Sequence, residues 1–380
     1  MSLYKYRLMA PGPTPVPEKV LTQMANPIIH HRTGAFEAIV KEVKDSLKWL
    51  YQTQQDVLIF ASSGTGAMEG SVINLLSKND KALVVDGGKF GERWWKICKA
   101  YGLAYEVIKV EWGKAVDPKI IEEKLKSQDF RAVFIQASET STAVAHPVRE
   151  IAEIVKKYPN TALVVDAITA LGVVNLPMDE WGLDIVVSGS QKALMLPPGL
   201  AFASVSAKAW GMIEKSDIPK FYFDFKKEKK SIDENTTAYT PAVSLIIGLN
   251  EVLKSMREMT LEGVFKKHQM LADACREGAK AMGLKLYAPD SPSNAVTAIY
   301  SPEGIDSGKV VKGLREQFNM TIAGGQDQAK GKIFRVGHLG YYDPMDIISV
   351  LSAIEITLVK AGYKLELGKG VGAALKVLAS

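Results

Sequence analysis

Lys192 stands five residues after the β-branched end of a short apolar run, Asp184-Ile185-Val186-Val187, within Ser188-Gly189-Ser190-Gln191-Lys192-Ala193-Leu194. The run reads as a buried strand, and the following Met195-Leu196-Pro197-Pro198-Gly199 is apolar and turn-rich. An ammonium in such surroundings loses hydration. Its neutral amine then becomes available for Schiff-base chemistry. The competing reading is a lysine that snorkels from a core edge into water.

In an open α/β sheet, ligands sit beyond the carboxyl ends of the strands, so the residues after each predicted strand decide between the two. After the strand at 57–60 comes Ala61-Ser62-Ser63-Gly64-Thr65-Gly66, a glycine- and hydroxyl-rich loop expected to precede a helix at 67–76. It can cradle a phosphate through backbone N–H groups, although it fits neither a Walker loop nor GxGxxG. After 82–85 comes Asp86-Gly87-Gly88-Lys89-Phe90-Gly91, where Phe90 is either a stacking ring or core packing. The strand at 132–136 is followed by Ser138-Glu139-Thr140-Ser141-Thr142, a turn full of hydroxyl donors. Asp166 ends the strand at 162–165 and needs a partner, either a helix N-terminus or a protonated ring nitrogen.

Together these are an anion cradle, an aromatic ring, a hydroxyl turn, a carboxylate and a lysine on successive strands. Pyridoxal phosphate requires such a set: its phosphate anchored, its ring sandwiched, its phenolic oxygen hydrogen-bonded, its pyridine nitrogen paired and its aldehyde joined to an amine. The chain resembles the class V, fold-type I pyridoxal-phosphate aminotransferases of the alanine/serine–glyoxylate (serine–pyruvate) group. The matching stretches are Pro11-Gly12-Pro13, Ser63-Gly64-Thr65-Gly66-Ala67, Glu139-Thr140-Ser141-Thr142, Val165-Asp166, Met178-Asp179-Glu180-Trp181-Gly182, Gly189-Ser190-Gln191-Lys192-Ala193-Leu194 with Pro197-Pro198-Gly199, and Phe334-Arg335-Val336-Gly337.

This resemblance implies that Lys192 carries the cofactor as a Schiff base and that Asp166 pairs with the pyridine nitrogen. It places Ile168 and Phe90 on the two ring faces and Thr140 at the phenolic oxygen. Ser63, Gly64, Thr65 and Gln191 would hold the phosphate, joined by Thr240, and by Tyr239 beside it, from the neighbouring subunit of a homodimer. Arg335, with Gly12, would receive the substrate carboxylate, a task suited to a planar fork of donors. The implied reaction is a ping-pong transfer from a small amino acid, serine or alanine, to a 2-oxo acid such as glyoxylate or pyruvate. Lys192 would move the α-proton. Two departures stand out: Ala143 occupies a place where relatives often have glycine, and Tyr239-Thr240-Pro241 matches only loosely in spacing.

The elements that must position these residues alternate. Helices are expected at 18–24, 35–51, 67–76, 90–101, 118–125 and 148–158, and strands at 57–60, 82–85, 104–110, 132–136, 162–165 and 185–187. The rhythm argues a mainly parallel sheet with helices on both faces. An antiparallel strand at 201–205, a charged aromatic loop at 221–239 and a helix at 242–259 are expected to follow. A small α+β domain is expected after these, with helices at 261–282, 307–318 and 344–361 and strands at 295–300 and 333–336. The organisation read from the sequence is an extended segment 1–17, a cofactor-binding domain 18–259 and a small domain 260–380, with a weakly patterned, loosely attached tail from 366.

With 380 residues and a net charge of +5, the chain lacks the basic density of a nucleic-acid binder. No metal site is expected: two cysteines, Cys98 and Cys275, rule out a disulfide framework and a thiolate cluster, and both fall in helical patterns. Neither an export signal nor a membrane span is evident, and a reducing cytoplasm is the expected compartment. Three other readings share the fold. A desulfurase or lyase needs a mobile nucleophilic cysteine. A phosphoserine or phosphonate aminotransferase needs a second anion site, for which His30, His31 and Arg32 are candidates. A non-catalytic subunit or electron-transfer partner would need neither Lys192 nor Asp166.

Overall fold

The computed structural model describes residues 5–380. Strand β1 (Arg7–Leu8) opens the chain, followed by helices α1 (Glu18–Met24) and α2 (Gly34–Tyr51). The alternation then runs β2 (Val57–Ser62), α3 (Gly64–Leu75), β3 (Lys81–Asp86), α4 (Lys89–Ala100), β4 (Ala104–Lys109), α5 (Pro118–Ser127) and β5 (Ala132–Gln136). A small hairpin, β6 (Ser138–Glu139) and β7 (Val144–Ala145), frames the hydroxyl-rich turn. After it come α6 (Val148–Val155), β8 (Ala162–Asp166), the one-turn α7 (Met178–Trp181), β9 (Ile185–Gly189) and β10 (Gly199–Val205). Three helices follow: α8 (Ala207–Ile213), α9 (Phe225–Asp233) and α10 (Val243–Met259). The remainder is α11 (Leu261–Ala281), β11 (Val296–Tyr300), α12 (Ser307–Phe318), β12 (Met320–Thr321), β13 (Ala323–Gly324), β14 (Ile333–Gly337), α13 (Pro344–Lys360) and α14 (Lys369–Leu378).

Seven strands form one sheet in the order β2-β10-β9-β8-β5-β3-β4. Only β10 runs against its neighbours, β2 and β9; the other pairs are parallel. β2 therefore points the same way as β9, and the carboxyl ends of β2, β3, β5, β8 and β9 share one edge. From β3 the chain goes to β4 on one side and then to β5 on the other, the arrangement that leaves a crevice at strand ends. Every residue of β5, β8 and β9 is buried, as continuous apolar runs covered on both faces require.

The sheet and its helices share one hydrophobic core. A second core is built by α11–α14 and β14, and Met9 from the N-terminal segment joins it, held by β1 pairing in parallel with β12. α11 contributes Val264 to the first core and Leu271 to the second. A small third cluster holds Ala143, Ala193, Val296 and Leu339, Ala193 being the residue after Lys192.

Four local expectations are corrected. Helix α3 begins at Gly64 rather than 67, with Gly66 N–H donating to Ser63 O at 2.8 Å, so the cradle is itself the first helical turn. The helix expected over 148–158 stops at Val155, because Pro159 disfavours a helical Tyr158. The expected loop at 221–239 contains α9, capped by the Asp224 carboxylate and anchored by buried Phe225, Glu228 and Ile232 at helical spacing. The tail is not loosely attached: Ala374 of α14 is fully buried, and the Glu355 carboxylate accepts from Gly368, Gly370 and Val371 N–H at 2.7, 2.6 and 3.4 Å.

Candidate active site

Leaving β9, the chain makes a turn locked by Ser190, whose Oγ donates to Pro197 O at 2.8 Å and accepts from Leu200 N–H at 3.1 Å. The next turn carries Lys192, whose carbonyl accepts from Thr14 Oγ1 at 2.9 Å. Its Nζ donates to Pro11 O at 2.7 Å. Gly12 adopts φ +136°, and a Cβ there would overlap the Lys192 amine, so the close approach requires glycine. Desolvation brings the Lys192 ammonium down to about 8; Asp166 opposes the shift, while Arg335 and Arg93 add to it.

Asp166 ends β8 with its side chain buried, and its Oδ1 accepts from Ile168 N–H at 2.8 Å. Burial pushes this carboxyl up to about 7, against the pull of the Ile168 N–H and of the Arg93 and Lys192 charges. Gly64, at the start of α3, lies so close to Ile168 that a Cβ there would overlap its Cδ1. Ser63 is the N-cap residue of α3, and no side chain caps the start of the helix. Gly189 lies against both the Gln191 amide and the backbone of Gly64, and Gln191 Oε1 is buried and unpartnered.

Thr140 sits in the turn between β6 and β7, its Oγ1 2.9 Å from Thr169 Oγ1. Ala143, in the same turn, adopts φ +59°, a conformation that glycine tolerates more readily and that accounts for the glycine expected there. Arg335, in β14, reaches across from the second core. Its Nη1 donates to Thr140 O at 2.9 Å, and Nε and Nη2 donate to Gly324 O at 3.1 and 2.8 Å. Three of five guanidinium N–H groups are thus engaged, leaving one on each terminal nitrogen for a ligand. Burial lowers the Arg335 pKa to about 10, with Glu139 opposing.

Phe90 lies in the first turn of α4, its N–H donating to Glu139 Oε2 at 3.1 Å. Its ring is 5.0 Å from the guanidinium carbon of Arg93, whose Nη1 donates to Thr65 Oγ1 at 3.0 Å. Gly12, Ser63, Gly64, Thr65, Phe90, Thr140, Asp166, Ile168, Gln191, Lys192 and Arg335 are thereby linked along one crevice. Thr240 is elsewhere in the chain, exposed on a surface cleft with Phe60, Tyr222, Glu228 and Tyr239. Arg93, Thr14 and Thr169 escaped the sequence reading. An arginine one turn into a helix carries no motif, whereas the two threonines are visible only as hydroxyls near Gly12 and Asp166.

The remaining candidates have ordinary partners. His338 is buried between Thr297 Oγ1 and Asn294 O, each 2.9 Å away. Cys98 and Cys275 are buried, their thiols pushed up by desolvation to about 12 and about 11. On an exposed turn, His30 Nδ1 accepts from Arg32 N–H, and Arg32 Nη1 donates to Thr236 Oγ1 at 2.7 Å.

The family model described as aminotransferase class V matches residues 7–342. The chain belongs to the class V aminotransferases. It is 45% identical, over 99% of both chains, to a Synechococcus protein named the small subunit of soluble hydrogenase. It is 34% identical to a serine–glyoxylate aminotransferase of Methylorubrum extorquens, covering 98% of this chain and 95% of the relative. The crystal structure of ureidoglycine–glyoxylate aminotransferase from Bacillus subtilis superposes with a TM-score of 0.95 at 28% identity, covering 100% of both chains.

As a member of this family the chain is a fold-type I transaminase whose cofactor is pyridoxal phosphate, and the crevice fits that cofactor. The buried Asp166 carboxylate has one oxygen tied to a backbone N–H and lacks a full counter-charge, a deficit that a protonated ring nitrogen would meet. The start of α3, whose N-cap residue makes no side-chain hydrogen bond, offers backbone N–H donors for an anion. Among the described residues no helix is long and apolar enough to cross a membrane.

Proposed function

We propose that the protein moves the amino group of serine or alanine to glyoxylate or pyruvate in two half-reactions that share one site. One observation carries this reading: the Lys192 amine, brought down to about 8, stands in a crevice with a buried carboxylate at one end and a helix start at the other. When bound, pyridoxal phosphate supplies an aldehyde to take up the amino group and a ring to hold the electron pair left by the departing α-proton. Lys192 would hold the cofactor through its amine. Once released, its amine takes the α-proton and returns it, base then acid, with a pKa suited to both.

Asp166 keeps the ring nitrogen protonated, while Ile168 and Phe90 cover the two ring faces and keep water off. The phosphate is held by Ser63, Gly64, Thr65 and Gln191, and Thr140 donates to the phenolic oxygen. Arg335 turns its two spare N–H groups to the substrate carboxylate, with Gly12 leaving room for it. A second copy of the chain brings Thr240 and Tyr239 to the phosphate, making the working unit a homodimer.

The names of the relatives support the acceptor more than the donor. Serine–glyoxylate and L-aspartate–glyoxylate aminotransferases, at 34% and 35% identity, share glyoxylate and differ in the amino acid. The deciding experiment loads purified protein with pyridoxal phosphate and follows the near-visible absorbance band as single amino acids are added. Serine and alanine are expected to bleach it, and glyoxylate to restore it. Bleaching by aspartate alone would overturn the donor assignment. A band that never forms, or that survives in Lys192→Ala, would favour a non-catalytic role of the kind suggested by the hydrogenase-subunit names.

A further inference from the structure

Arg93 has a placement that its position in a helix does not require. It lies one turn after Phe90 in α4, partly buried, and no carboxylate pairs with it among the described residues. Instead the guanidinium packs on the Phe90 ring at 5.0 Å and donates through Nη1 to Thr65 Oγ1 at 3.0 Å. Its helix is pinned in place: the buried Glu139 carboxylate accepts from Phe90 N–H at 3.1 Å and Gly91 N–H at 2.9 Å, and also from Ser141 Oγ at 2.5 Å. A cation taken partly out of water without an anionic partner is costly, so its retention calls for a reason.

We propose that Arg93 is a positioning residue of the cofactor site, acting through Thr65 to present that hydroxyl as a donor to the phosphate. The argument follows from donor and acceptor counting. A threonine hydroxyl has one hydrogen and two lone pairs. With one lone pair occupied by Arg93, which has only hydrogens to give, the Thr65 hydrogen points away from the guanidinium and can serve another acceptor. The same fixed charge reaches Asp166 and Lys192, pulling the pKa of the first and the second down alike. Cation–π packing on Phe90 steadies the ring assigned to one cofactor face.

This inference rests on the assignment of Ser63–Thr65 as the phosphate seat, and the test separates the two. Dissociation constants of pyridoxal phosphate and of pyridoxal, which lacks the phosphate, are measured by equilibrium titration on cofactor-free protein. The proteins are wild type, Arg93→Gln, Arg93→Lys, Thr65→Val and the double variant Arg93→Gln/Thr65→Val. Loss of Arg93 is expected to weaken pyridoxal phosphate about tenfold, the scale of one hydrogen bond to a charged group, and to leave pyridoxal within about twofold. Arg93→Lys, which keeps the charge and a donor nitrogen, should recover part of the loss. In the Thr65→Val background Arg93→Gln should add less than about threefold, because its route to the phosphate is already cut. Equal weakening of both ligands, or a full additional tenfold in the double variant, would overturn the proposal. If Thr65→Val itself leaves the preference for the phosphorylated ligand unchanged, the seat assignment falls, and the role of Arg93 with it.

Discussion

Asp166 titrates at about 7 in the folded chain, against about 3.9 for an unperturbed aspartate, so between those values the native state holds a proton that the unfolded chain has released. Native stability contributed by this group therefore falls as pH rises through that window and is level above it. Lys192 behaves the opposite way: its folded pKa of about 8 lies below the usual lysine value, so its stability cost is greatest below about 8 and fades as pH rises toward about 10.4. In cofactor-free protein, Asp166→Asn keeps an acceptor for Ile168 N–H but removes the titration. Relative to wild type, the variant should gain ~3 kcal/mol between pH 4.5 and pH 7, read from urea unfolding at both values. An unchanged difference at the two pH values would mean that the carboxylate is not strained by burial. At this scale the residues legible in the sequence are those at strand ends, where an apolar run makes a polar residue conspicuous. Asp166, Lys192 and the Ser63–Thr65 stretch qualify. Arg93 does not, since an arginine in a helix with lysines on both sides resembles any solvated face.

Helices α9 and α14 show how a side chain can hide an element or fasten one. Residues 226–230 are dominated by lysine, which obscures the spacing of Phe225, Glu228 and Ile232 on the buried side of α9. The Phe225 ring packs 5.5 Å from that of Phe60 in β2, tying α9 to the edge of the sheet. In α14 the contact face is made of small residues. Gly370 approaches Gly278 so closely that a Cβ would stand 2.9 Å from the Gly278 carbonyl oxygen, and Ala374 is fully buried. Small residues give little amphipathic signal, which is why the tail looked weakly patterned. Its fastening is Glu355, in the middle of α13, which takes three N–H groups from the start of α14. Glu355→Ala leaves those donors unmet and should cost ~2 kcal/mol, with protease cutting near residues 362–368 appearing before global unfolding. Wild-type stability together with a wild-type cleavage pattern would show that apolar contacts alone hold α14.

The whole molecule is two cores meeting at a crevice, and Arg335 is the side chain that joins them at the candidate site. It leaves the small sheet at β14, holds Gly324 O on its own side and grips Thr140 O on the other. The fold class and the alternation of elements were legible because buried parallel strands announce themselves as apolar runs. The pairing of β1 with β12 was not: two residues show no periodicity, and their partners are more than 300 positions away. For the same reason the sequence did not show that Met9 belongs to the second core. The clamp role proposed for Arg335 can be set against this structural one. A lysine at 335 keeps a positive charge but has three donors on one atom, too few and too localised to reach Gly324 O, Thr140 O and a substrate carboxylate together. Arg335→Lys should therefore lower kcat/KM for the amino donor by about 100-fold to 1,000-fold, mostly as a raised KM, the signature of lost ground-state binding. Pyridoxal phosphate affinity should change by less than about threefold, since Arg335 meets Thr140 at its backbone carbonyl, not at the hydroxyl proposed to hold the cofactor. A fall in kcat with an unchanged KM would instead assign Arg335 to the alignment of Thr140 alone, and the carboxylate would then need another partner.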